Sequence, residues 1–183
     1  MEIVATEFKD LFVFNPKILE DERGYFFESY SRRTLLKAGI DLNFIQDNQS
    51  CSKRGVLRGL HYQIAPYPQT KLVRVLSGRI LDVVVDLRKE EKTFGKYFSI
   101  ELSSENNRQL LVPKGFAHGF ITLSDQAVVF YKCDEYYYPN AEQGLHYSDP
   151  AIDIDWGMDK ADFILSEKDK KNPTLANANL NFK

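Results

Sequence analysis

The chain has 183 residues, with 24 Lys+Arg against 26 Asp+Glu for a formal net charge of −2, and 43% of it is hydrophobic. These proportions describe an ordinary globular chain of one domain (about 100–200 residues is usual) and exclude an intrinsically disordered one. Balanced charge also excludes the strongly basic face of a nucleic-acid binder, and the longest apolar run, Ala127 to Tyr131, is far shorter than the ~20 residues of a membrane span.

Glu2, Glu7 and Asp10 stand where an export signal needs basic and then apolar residues, so none is expected. Cys51 and Cys133 are too few for a disulfide framework and lack CxxC spacing, which fits a reducing cytoplasm. Leu11–Leu19 and Tyr25–Tyr30 are predicted strands around the turn Asp21-Glu22-Arg23-Gly24. A helix is predicted over Arg32–Ala38, with Ser31 as its N-cap and Gly39 able to take the left-handed conformation that ends it.

Strands are predicted next at Asn43–Ser50 and Val56–Gln63, separated by Lys53-Arg54-Gly55. Lys71–Arg88 holds two β-branched runs around Ser77-Gly78, the pattern of a hairpin. On its second arm Leu81, Val83, Val85 and Leu87 share one face, while Ile80, Asp82, Val84, Asp86 and Arg88 share the other. Apolar side chains mixed with carboxylates suit the wall of a polar cavity. Further strands are predicted at Tyr97–Leu102, Gln109–Val112, Phe116–Leu123 and Ala127–Tyr138, with a short one at Ala151–Trp156. Lys160–Lys171 is charged with little periodicity, and residues 176–183 read as a tail on a single domain spanning 1–183. Many short strands predict an all-β sandwich or barrel that leaves few edges unpaired.

Three histidines are available for chemistry. His61 and His118 are flanked by glycines and large apolar residues, a setting that desolvates a ring and suits either a hydrogen-bonded structural residue or a catalytic base. His146, between Leu145 and Tyr147, reads as structural or surface. Arg58 and Lys71 lie close in sequence to His61, as cations for an oxyanion or as solvated surface charges. Strict alternation puts Arg58 and His61 on opposite faces, so a shared site requires a bulge, for which Gly59 is the candidate.

Nine blocks in register then carry a resemblance: Arg23-Gly24-Tyr25-Phe26-Phe27-Glu28, Phe44-Ile45-Gln46-Asp47-Asn48-Gln49-Ser50, Gly55-Val56-Leu57-Arg58-Gly59-Leu60-His61-Tyr62-Gln63, Lys71-Leu72-Val73-Arg74-Val75, Thr93-Phe94-Gly95, Pro113-Lys114-Gly115-Phe116-Ala117-His118-Gly119-Phe120, Tyr131-Lys132-Cys133-Asp134-Glu135-Tyr136-Tyr137, Asp149-Pro150 with Ile154-Asp155-Trp156, and Leu165-Ser166-Glu167-Lys168-Asp169. Over residues 8–175 the chain resembles the dTDP-4-dehydrorhamnose 3,5-epimerases of the L-rhamnose pathway. The resemblance implies a cupin fold, a double-stranded β-helix or jelly roll with a few short peripheral helices. It also implies a homodimer in which N-terminal strands join the partner's sheet.

The activity it implies is inversion of carbons 3 and 5 of dTDP-4-dehydro-6-deoxy-D-glucose, giving dTDP-4-dehydro-β-L-rhamnose. By resemblance His61 is the base, Asp169 its carboxylate partner, Tyr131 the opposing acid and Lys71 the cation facing the enolate oxygen. Arg23 and Arg58 match phosphate contacts, while Glu28, Gln46, Asn48, His118, Glu142 and Lys168 match other substrate contacts. Tyr137 matches an aromatic that stacks on thymine, although cross-strand packing within Tyr136-Tyr137-Tyr138 accounts for it equally well.

Metal-binding cupins use a His-x-His pair, and here the corresponding positions read His61-Tyr62-Gln63, so no catalytic metal is expected. No redox cofactor is expected either, since the sequence has no Gly-rich dinucleotide fingerprint and proton transfer needs none. Two rivals remain: a single-carbon epimerase or 3,4-ketoisomerase on a related dTDP-4-keto sugar, and a non-catalytic carbohydrate-binding jelly roll.

Overall fold

Thirteen strands and one short α-helix form in the computed structural model, which describes residues 1–182. In chain order they are β1 (Glu2–Ala5), β2 (Phe12–Asn15), β3 (Leu19–Asp21), β4 (Gly24–Phe26), α1 (Arg32–Lys37), β5 (Gln46–Lys53), β6 (Leu57–Gln63), β7 (Lys71–Ser77), β8 (Arg79–Asp86), β9 (Tyr97–Ser103), β10 (Gln109–Val112), β11 (Phe116–Thr122), β12 (Gln126–Cys133) and β13 (Glu142–Gly144). A six-stranded sheet runs β1-β2-β10-β7-β12-β5 and a five-stranded sheet runs β13-β6-β11-β8-β9, both antiparallel. Among the described residues β3 and β4 pair only with each other. This is the all-β jelly-roll sandwich that the resemblance implies.

The central core lies between the sheets. Val73, Val75, Leu110, Val112, Ala127 and Val129 from one sheet meet Ile80, Val84, Leu102, Phe116 and Phe120 from the other. Both outer faces are covered too. Leu35 of α1 packs on Phe14, Leu72 and Leu111, while Leu145, Ile152, Ile154 and Trp156 cover Leu57, Val83, Val85 and Ile121. β8 is therefore buried on both faces, and the two carboxylates it carries on its inner face, Asp82 and Asp86, each need a partner. α1 begins where expected, with the Ser31 hydroxyl accepting from the Thr34 N–H, and Gly39 follows its end at φ 80°.

Several boundaries differ from expectation for physical reasons. Pro16 has no N–H to give a ladder, and Leu11–Leu19 is divided into β2 and the start of β3. Of Tyr25–Tyr30 only Tyr25 and Phe26 are strand, within β4. Ala151–Trp156 is not a strand at all. Ile152, Ile154 and Trp156 do bury alternately, but Asp153 takes φ 53° and the Ile152 and Asp153 N–H groups both turn back to the Asp149 carbonyl. β12 stops at Cys133, and residues up to Tyr138 form a loop instead. Residues 176–182 pack against the sandwich: Tyr62 donates to the Asn179 carbonyl at 3.1 Å and its ring meets that of Phe182 edge-on.

Candidate active site

Between the open ends of the two sheets lies a cavity of about 450 Å³, with a smaller annex of about 110 Å³. From the five-stranded sheet β6 offers Arg58 and His61, and β11 offers His118. From the six-stranded sheet β7 offers Lys71, β12 offers Tyr131 and β5 offers Ser50. His61, Lys71 and Tyr131 line both spaces, and Gln46, Asn48, Tyr137 and Glu142 line the annex.

The conflict over Arg58 and His61 is resolved as Gly59 suggested. His61 pairs with His118 and Arg58 with Phe120, so three steps along β6 oppose two along β11. The extra residue is a bulge that returns both side chains to the cavity side. Gly59 has φ 130°, and a Cβ there would lie 2.5 Å from the Gly119 Cα. A Cβ on Gly119 would lie 2.7 Å from the Arg58 carbonyl oxygen, so two facing glycines let the strands close at the bulge.

His61 Nε2 lies 2.6 Å from Asp169 Oδ1, the ring partly open to the cavity and the carboxylate nearly buried. Asp169 opens the short 3-10 helix Asp169–Lys171 and its N–H donates to the Ser166 hydroxyl. Burial pushes the Asp169 carboxyl up, but the His61 ring, Ser166 and the Gly59 N–H outweigh it and hold the carboxyl below its ordinary value. A second imidazole–carboxylate pair stands behind the cavity, with His118 Nε2 at 2.6 Å from the fully buried Asp82 Oδ1. Asp82 thus serves the wall through His118. Asp86, expected on the same wall, does not: it closes the far end of the core, held by the Arg88 guanidinium and the Thr93 hydroxyl.

Lys71 Nζ lies 5.9 Å from the centre of the Tyr131 ring. Burial drives its pKa down, against the pull of Cys133, Asp82 and Glu142. Burial likewise raises the Tyr131 phenol, with Arg58 opposing. Cys133, beside Lys71 across the ladder, is pushed up to about 11 by burial and accepts from the Asn48 amide at 3.7 Å. Arg58 spends Nε on the Ser52 hydroxyl at 3.0 Å. Among the described residues neither Arg58 nor Lys71 is in an ion pair, so both cations remain available to an anion.

At the mouth, Glu142 accepts from Tyr137 Oη at 2.7 Å and pairs with Lys168. Burial raises the Glu142 carboxyl, and the Lys168 ammonium and Tyr137 hydroxyl more than reverse it. Gln46 donates to the Asn48 side chain at 3.2 Å. Eleven candidate residues thus gather around one space: His61, Tyr131, Asp169, Lys71, Gln46, Asn48, Arg58, His118, Tyr137, Glu142 and Lys168. Two do not. Arg23 is exposed on the β3–β4 hairpin and pairs with Asp21, and Glu28 accepts from the Thr34 hydroxyl beside α1. His146 is structural, its Nδ1 accepting from the Ser148 N–H at 3.1 Å.

Sequence reasoning missed Ser166 beneath Asp169 and Cys133 beside Lys71. The even spacing of Cys133 and Tyr131 along β12 was the available signal for the second; for the first it was the place of Ser166 three residues before Asp169 in the same block. Among the described residues no group of three or more His, Cys, Asp or Glu is placed to hold a metal ion.

A family profile described as dTDP-4-dehydrorhamnose 3,5-epimerase matches residues 5–177. The chain belongs to that family. The dTDP-4-dehydrorhamnose 3,5-epimerase of Shigella flexneri is 48% identical over 170 residues, covering 92% of this chain and 93% of its relative. The crystal structure of the corresponding enzyme from Elizabethkingia anophelis is 48% identical with a TM-score of 0.91, covering 95% of this chain and 96% of that one. A dTDP-6-deoxy-D-glucose-3,5-epimerase from Legionella pneumophila, solved in complex with dTDP-4-keto-L-rhamnose, is 46% identical with a TM-score of 0.92, covering 96% and 93%. This family member is therefore an isomerase of the racemase and epimerase class. No helix of the described chain is long and apolar enough to cross a membrane.

Proposed function

We propose that this cavity inverts carbons 3 and 5 of dTDP-4-dehydro-6-deoxy-D-glucose, with His61 and Tyr131 as the opposed proton carriers. One observation carries the reading: an imidazole backed by a buried carboxylate on one sheet faces a phenol and an ammonium on the other. Both carbons are alpha to the carbon-4 ketone. His61 takes the proton from the carbon, the bond's electrons move into an enolate, and Lys71 opposes the charge on the carbon-4 oxygen. Tyr131 returns a proton to the opposite face, and the configuration inverts. Asp169 orients the His61 ring and stabilises its protonated form.

Arg58 and Lys168 suit the diphosphate, and Tyr137 the thymine face. A binding module would have no use for a carboxylate-backed imidazole facing a phenol. These proton transfers require no metal or redox cofactor, so activity should survive a chelator. Incubating the protein with the 4-keto sugar nucleotide in deuterated water tests the reading. Deuterium at both carbons is expected; label at one carbon indicates a single-carbon epimerase, and binding without label a lectin-like module.

We infer further that the working unit is a homodimer. On the β3–β4 hairpin Leu19, Tyr25 and Phe26 are 54%, 59% and 70% exposed, with Arg23 at the turn between the strands. A two-stranded ribbon with open edges and three exposed large apolar side chains is suited to adding to a sheet of a second copy, which would carry Arg23 toward that copy's cavity. Sedimentation of wild type against Phe26→Asp tests this, a shift to monomer with reduced turnover being expected. The free thiols of Cys51 and Cys133 suit a cytoplasmic location.

A further inference from the structure

The segment from Asp134 to Ala141 leaves β12, carries Tyr137 at the cavity mouth and contains no strand or helix. Side-chain amides hold its backbone instead. Gln69 Nε2 donates to the Glu135 carbonyl at 2.8 Å and Gln63 Nε2 to the Tyr136 carbonyl at 3.1 Å. The Tyr137 N–H donates to Gln46 Oε1 at 3.0 Å and the Tyr138 N–H to Gln63 Oε1 at 2.7 Å. Four consecutive residues, 135 to 138, are therefore tied down one after another by three glutamines.

Gln63 is the centre of this clamp. It is 4% exposed and also donates to the Tyr67 carbonyl at 2.7 Å, so both its N–H groups and its oxygen are engaged. Moving the loop would strand a buried amide without partners, which costs more than the loss of an exposed hydrogen bond. Gln63 also lies two residues beyond His61 on β6, so the strand that positions the base also sets the register of the Tyr137 loop. The Tyr137 phenol is held independently by Glu142.

We propose that Gln63 and Gln69 are positioning residues for the nucleobase end of the substrate. They fix the Tyr137 backbone in advance, so that binding does not have to order the loop before its ring can stack. The inference rests on the reading of Tyr137 as the thymine platform. Thymine lies away from the reacting carbons, so the lost interaction is common to ground and transition states and enters KM rather than kcat.

The test titrates dTDP and, separately, inorganic pyrophosphate into the intact protein and its Gln63→Leu, Gln69→Leu and Tyr137→Ala variants, with steady-state kinetics alongside. In both glutamine variants dTDP binding is expected to weaken about tenfold and KM to rise in step, while pyrophosphate affinity and kcat change by less than about threefold. Gln63→Glu, which replaces two donors by a carboxylate facing two carbonyls, should match Gln63→Leu. Equal loss for dTDP and pyrophosphate, or a fall in kcat at constant KM, overturns the proposal. If Tyr137→Ala loses dTDP affinity while both glutamine variants keep it, the clamp fails and the platform stands. Should Tyr137→Ala keep wild-type dTDP affinity, the platform itself fails. If Gln63→Leu does not fold, Gln69→Leu decides, because its single bond sits at the partly open start of the loop.

Discussion

His61 and Asp169 are 108 residues apart in the chain and 2.6 Å apart in the fold, Nε2 to Oδ1. The carboxylate engages one ring nitrogen and leaves the other for substrate. Asp169→Asn presents an amide that can donate to the ring and so favour the wrong tautomer, and a loss of about 10²-fold or more in kcat is expected. Residues acting as a unit are not additive. The His61→Ala, Asp169→Asn double variant should therefore be no slower than His61→Ala alone, a comparison that steady-state kinetics makes directly.

Opposed proton carriers predict different isotope behaviour. His61→Ala should lose both turnover and exchange of solvent deuterium into the sugar. Tyr131→Phe should lose inversion by about 10²–10⁴-fold yet still exchange label with retention, because His61 can return a deuteron to the face it opened. Proton NMR in deuterated water reads both, and inversion at wild-type rate in Tyr131→Phe would remove that residue from its role.

Burial strips water from the Lys71 ammonium and lowers its pKa from 10.5. Between that lowered value and 10.5 the unfolded chain binds the extra proton, so folding stability rises with pH across this window. Below the window both states carry the charge and the native state bears the full cost. Lys71→Met should accordingly raise Tm at neutral pH, by about 2–4 °C for each kcal/mol relieved, while cutting kcat by about 10²–10³-fold. Calorimetry and kinetics on one preparation check the opposition.

Asp169 and Glu142 behave in the reverse sense. Each carboxyl is held below its ordinary value, 3.8 and 4.5, by its cationic or hydroxyl partners. The stability they contribute is fully present above those ordinary values and disappears as pH falls through the lower folded ones. Thermal melts between pH 7 and pH 3 should show Tm falling on the acid side, less steeply in Asp169→Asn than in wild type.

Gly59→Ala should be disproportionately harmful for one methyl group. The added Cβ meets backbone rather than a flexible side chain, at a φ that L-residues rarely adopt. Relief requires β6 and β11 to separate at the bulge, which turns Arg58 and His61 away from each other. Loss of both Tm and turnover is expected, and a larger one than an alanine at Gly24 causes, where φ is equally unfavourable to an L-residue but nothing lies within 4 Å.

Alternation and turn chemistry were legible without any structure. The 77–78 hairpin, the Ser31-capped helix, most strands and the need for a bulge at Gly59 all follow from local sterics and hydrogen bonding, which neighbours in sequence control. His61 and Lys71 stood out as candidates from their own surroundings in the sequence, whereas Tyr131 as their opposing acid was legible only through resemblance to a family. Tertiary structure alone decided the rest. It denied Ala151–Trp156 a strand by turning the Ile152 and Asp153 N–H groups back to the Asp149 carbonyl, and set Asp86 against Arg88 rather than the cavity. It also brought Asp169 to His61, and three glutamines from two different strands and a loop to one backbone. Such pairings depend on how two sheets and their connecting segments close over a shared core, and periodicity carries no information about which distant residue will fill a given hydrogen-bonding vacancy.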